Sequence, residues 1–158
     1  DQPYVGAVFA RDALPGTLPM DLLHHDHAHR PDLFYVMRSD DGPDPYGLPG
    51  RRAFTGGIPL GGGMHGGLNR HEMSTVMIWD VPGARKGIED AATALVDVAP
   101  TISSLLGLDQ EAQGRILPLW QDESDDIEHM ITEGHGGAGP FRLHRTRVGT
   151  RIYLDHLV

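Results

Sequence analysis

Thr75-Val76-Met77-Ile78-Trp79-Asp80-Val81 is the stretch on which the fold reading turns. A strand with one wet face alternates polar and apolar residues. This run is almost continuously apolar, as suits a strand covered on both faces, and such strands belong to parallel sheets flanked by helices. Working outward, Tyr4-Val5-Gly6-Ala7-Val8-Phe9 and Asp32-Leu33-Phe34-Tyr35-Val36-Met37 read as two further buried strands. The expected fold is therefore α/β, with a mostly parallel sheet flanked by helices.

The clearest helix spans 96–107. Asp97 suits the N-cap, Pro100 is tolerated in the first turn, and Gly107 suits a left-handed stop. Val98, Ile102, Leu105 and Leu106 fall at i, i+4, i+7 and i+8 and predict one apolar stripe facing a core. A second, shorter helix is expected over Met20 to His29. Residues 121–128 are acidic and read as a solvated turn. Beyond them, Phe141 to Arg147 and Arg151 to Asp155 alternate on either side of Val148-Gly149-Thr150, which predicts a C-terminal antiparallel hairpin.

Just before the opening stretch lies Gly61-Gly62-Gly63-Met64-His65-Gly66-Gly67-Leu68, followed by Glu72. Glycine lets backbone approach a ligand closely. A loop without side chains is a poor place to pack an imidazole and a good place to present one to a metal or a phosphoryl group. An ordinary surface histidine is the plainer reading. Glu72 could accept a hydrogen bond from the His65 ring, or be a carboxylate placed at a helix start. The long polar segment 39–63, rich in Gly and Pro, has the length of a functional loop.

Other histidines weigh less. His24, His25, His27 and His29 surround Asp26, and a helix would put His25 and His29 on one face. No glycine framing supports a native metal site there, and such tracts bind metal adventitiously. His135, in Gly134-His135-Gly136-Gly137, reads as a surface turn. Arg38 closes a strand and suits either anion binding or plain exposure.

The 158 residues fit one domain with a moderate core, and 21 glycines with 12 prolines imply many turns. The formal charge of −9, without a Lys/Arg stripe, argues against a nucleic-acid partner. An anionic substrate would need a local positive charge, from a metal or an arginine. Without cysteine there are neither disulfides nor thiolate metal sites. No apolar run approaches the length of a membrane span. The first residue is Asp1, so a processed product or a piece of a longer chain is expected.

The order Gly-Met-His-Gly-Gly-Leu, Glu72, an apolar run, Pro82-Gly83, Lys86-Gly87, then Asp97-Val98-Ala99-Pro100-Thr101 and Leu105-Leu106-Gly107-Leu108 resembles the C-terminal part of the alkaline phosphatase superfamily. It is most similar to the type I phosphodiesterase/nucleotide pyrophosphatase branch and its sulfatase-like relatives. The resemblance covers roughly Tyr4 to Trp120, with a looser echo in the hairpin.

That resemblance implies an α/β sandwich whose sheet carries two divalent metal ions, usually zinc, at the carboxyl ends of its strands. It implies hydrolysis of a small-molecule phosphoric ester by a metal-bound Ser or Thr. The ligands are Asp and His pairs from earlier segments and a last His, which here is His65. Asp40-Asp41-Gly42 and Tyr46-Gly47-Leu48-Pro49-Gly50 resemble a segment that would rim the active site. The nucleophile strand and the Ser-Asp-His-Gly ligand pair do not occur in this sequence, so it supplies no catalytic residue. The expectation is the C-terminal part of one domain, completed by the N-terminal part of the same parent protein and inactive alone. A sulfuric-ester hydrolase or metal-dependent mutase of the same superfamily, and an inert remnant or binding module, are the alternatives.

Overall fold

Burial along Val5–Ala10 marks strand β1: Ala7 and Phe9 are fully enclosed, Gly6 and Val8 are partly exposed, and Ala10 is buried at the strand's end. It is the middle strand of a three-stranded sheet in a computed structural model that describes residues 2–25, 27–53, 57–59, 65–109, 111–136 and 139–158. On one side β1 pairs in parallel with the short β2 (Leu18–Pro19), and on the other it runs antiparallel to β3 (Leu33–Met37). The β1–β3 register sets Phe9 opposite Phe34 and Ala10 opposite Leu33. A second sheet has the order β4-β5-β6, from Ile127–Gly136, Gly139–Val148 and Arg151–Leu157. Gly149-Thr150 joins β5 to β6, and backbone hydrogen bonds run both ways between Arg142 and Val158.

The expected parallel sheet flanked by helices is therefore overturned. The sheets are mostly antiparallel, and helix amounts to 13%, too little to cover both faces of a sheet. A parallel sheet of full-length strands needs crossovers of about a dozen residues or more, usually helical, and the parallel pairing described here is confined to the two-residue β2. Here α1 (Arg70–Met73) has four residues and α2 (Val98–Leu105) has eight. The stretch 75–81 belongs to no strand. Val76 and Ile78 are 83% and 85% exposed, and the indole Nε1 of Trp79 is enclosed without a hydrogen-bond partner among the described residues. Nor is β3 covered on both faces, since only Val36 is buried while Leu33 and Tyr35 face water.

The chain divides into two units. The first comprises Asp1–Thr75, Ile131–His144 and Leu154–Val158. Its core joins Ala7, Phe9, Leu18, Met20, Val36, Leu68, Phe141 and Leu143. The helix expected over Met20 to His29 is a single 3-10 turn, Met20–Leu23. It stops because His24 takes a left-handed conformation, φ 57°.

The second unit comprises Val76–Met130 and Arg145–Tyr153. A 3-10 turn, Leu95–Asp97, leads into α2, and Gly107 ends the segment at φ 67°. Of the expected apolar stripe, Val98 and Leu105 are only partly buried and the other two residues are exposed. Ile102 is 42% exposed and Leu106 67%, whereas Asp97, Pro100, Thr101 and Ser103 are buried. The physical reason is a polar network that periodicity cannot see. The enclosed Asp97 carboxylate accepts from the backbone N–H of Ala94 (2.9 Å), the backbone N–H of Arg115 (2.9 Å) and the Tyr153 hydroxyl (3.1 Å). The Thr101 hydroxyl donates to the Asp97 carbonyl and accepts from Leu117 N. Buried polar groups persist when satisfied in this way. No described helix is long and apolar enough to cross a membrane.

Candidate functional site

Asn69 fixes the local geometry of the site. Its buried side chain caps α1 by accepting from His71 N at 2.9 Å, as a helix start requires. Next to it Leu157 N donates to the Leu68 carbonyl at 2.7 Å, tying the entry to α1 onto β6. Between these anchors and His65 the chain runs through Gly66, at φ 85°, and Gly67. A Cβ on Gly67 would collide with the Glu72 carboxylate and the Arg52 guanidinium, so glycine here admits an ion pair against the backbone.

The elements of the first unit leave a cavity of about 590 Å³. Its apolar wall is Leu23, Phe34, Leu68, Met73 and Leu154; its polar groups are His25, His65 and Glu72. His65 is exposed, at the rim. Phe34 is held from two sides, tilted against the buried Phe9 at 6.4 Å and edge-on to the His25 ring at 5.8 Å. The Nδ1 atom of His25 is enclosed and has no hydrogen-bond partner among the described residues. Glu72 lies in the first turn of α1 and pairs with Arg52, so its charge is balanced within the protein. Burial lowers the Arg52 pKa from its ordinary value.

Residues 61–64 of the glycine run lie outside the described residues, as does Asp26. The histidine tract does not form the expected helical face, because the 3-10 turn ends at His24 before His25 and His29 could align. His135 is not in a turn; it is an exposed residue of β4. Arg38 is exposed, with its backbone N–H bonded to the Tyr4 carbonyl.

The Asp40–Gly50 segment folds on its own carboxylates. Asp40 accepts from Gly42 N and from Arg51 Nη2, each at 2.8 Å, and Asp44 accepts from Tyr46 N and Leu48 N. The Arg51 guanidinium, followed by the Gly42 N–H, holds the Asp40 carboxyl below the ordinary carboxylate range. Asp41 pairs with Arg70 and lies 3.4 Å from His71 Nε2, bracing α1 from outside the cavity.

Two groups escaped the sequence reading. His144 and His156, on β5 and β6, stack with ring centroids 4.5 Å apart and nearly parallel planes. Their neighbourhood depends on strand register, which spacing alone does not give. In the second unit Arg115 donates through Nε to the Tyr153 hydroxyl at 3.1 Å and pairs with Glu123. Burial, reinforced by the Asp97 charge, pushes the Tyr153 hydroxyl up to about 12.

A catalytic zinc takes three protein ligands and keeps a position open. Among the described residues no group of three or more His, Cys, Asp or Glu is placed to hold a metal ion. These residues alone do not fit a two-zinc centre; the arrangement offers one exposed imidazole beside a preformed, mainly apolar cavity. Comparison with protein-family models, curated proteins and solved structures returned no match.

Proposed function

We propose that the chain forms part of a metal-dependent hydrolase of phosphoric esters, phosphodiesters or pyrophosphates, to which it contributes His65 as one zinc donor. The observation that carries this reading is the place of His65: exposed, directly before Gly66-Gly67, on the rim of a cavity that also receives His25 and Glu72. The ordered motifs from the glycine loop to Leu105-Leu106-Gly107-Leu108 support it from the sequence. One imidazole cannot hold zinc tightly. The reading therefore places the other donors and the nucleophile on polypeptide outside these 158 residues, with a small phosphoester as substrate.

An inert binding module is the second reading, favoured by the absence of a three-donor group among the described residues. Metal content and turnover of a chromogenic phosphodiester, measured on the parent enzyme and on His65→Ala, separate the two. Both quantities are expected to fall together, with affinity for zinc reduced at least about a hundredfold, while circular dichroism stays unchanged. Unaltered zinc stoichiometry removes the ligand role. The 158-residue chain alone, supplied with zinc, is expected to show no turnover above background.

A further inference from the structure

We propose that the cavity beside His65 is a subsite for the aromatic substituent of a phosphoric ester, with Phe34 and Met73 as its contact residues. The phosphate part of that assignment rests on the hydrolase reading; the aromatic part rests on the cavity itself. At about 590 Å³ it falls within the range of about 300–1,000 Å³ typical of small-ligand sites, which combine apolar walls with few polar groups.

The wall is preformed. Phe9, fully buried, backs Phe34, and the His25 ring meets Phe34 edge-on, so the Phe34 ring is braced before any ligand arrives. A flat aryl group matches this surface through offset or edge-to-face contact, and the Met73 thioether adds a sulfur–aromatic contact. The exposed His65 suits the other end of such a ligand, since from the rim it can donate to a phosphoryl oxygen. Glu72 would repel an anion if it stood alone, but its pairing with Arg52 offsets that charge.

The test uses the 158-residue chain with EDTA present, so that no metal takes part. The Met73 methyl and the His25 and His65 ring resonances are followed by NMR during titration with 1-naphthyl phosphate and, separately, glycerol phosphate. The expected result is a saturable shift of the Met73 methyl with naphthyl phosphate and none with glycerol phosphate. Phe34→Ala should weaken binding about tenfold, and Phe34→Leu, which keeps packing on Phe9, by less. His65→Ala should weaken naphthyl phosphate more than it weakens 1-naphthol. An unmoved Met73 methyl, or equal affinity in all three Phe34 forms, overturns the subsite. Neither result touches the zinc measurement on the parent enzyme, so failure of this inference and failure of the hydrolase reading are told apart.

Discussion

Replacing Asp97 strips an acceptor from three donors at once, the backbone N–H groups of Ala94 and Arg115 and the Tyr153 hydroxyl. Each buried donor left unpaired costs about 1–3 kcal/mol. Asp97→Ala is therefore expected to destabilise the protein by about 3 kcal/mol or more in urea denaturation. A surface carboxylate would give a change near zero. Asp97 stood out in the sequence as a helix cap, yet its side chain bonds outside α2 altogether. Its partners Arg115 and Tyr153 are distant in sequence, and no local pattern announces them. His156 gives a second residue-level expectation. Burial, then the adjoining His144, holds its imidazole below the ordinary value of 6.5. The unfolded chain consequently binds the proton more readily than the folded one, and stability present above that value is lost as pH falls through it. His156→Gln should flatten the fall in stability between about pH 7 and about pH 5, measured as the difference from the parent chain.

Among the elements, β1 and β5 each bring two residues to the first unit's core, Ala7 and Phe9 from the one and Phe141 and Leu143 from the other. Phe9→Ala removes a fully enclosed ring that also backs Phe34, and a loss of about 3–5 kcal/mol is expected from thermal or urea unfolding. Two strands of this sheet, β1 and β3, were legible as apolar runs, and the C-terminal pair as alternation around Gly149, whereas the two-residue β2 was not. Their direction was not. Whether β3 runs with or against β1 depends on the connection and on which side chains find cover, and Leu33 and Tyr35 stay half exposed. The same limit hid which side of α2 is buried: a 3.6-residue stripe predicts burial only if something packs on it. In the fold the hydrogen-bonded side carrying Asp97, Thr101 and Ser103 is turned inward. At the candidate site His65 could be singled out from its glycines. The apolar wall could not, because Leu23, Phe34, Met73 and Leu154 converge from four separate segments.

On the scale of the whole molecule, the two units dispose of their apolar residues in opposite ways. The first gathers a continuous core from Ala7 to Leu143. In the second, Ala91, Leu117, Val148 and Tyr153 are the hydrophobic residues buried among those described, while Val76, Ile78, Ile88 and Leu95 are each more than 80% exposed. Soluble monomers seldom leave large contiguous apolar patches open to water. Such surface is what environment-sensitive dyes report. Anilinonaphthalene sulfonate should fluoresce strongly with the native protein at neutral pH, before any denaturant is added. Exchanging Val76, Ile78 and Ile88 together for threonine should quench most of that emission and raise the concentration at which the protein begins to precipitate.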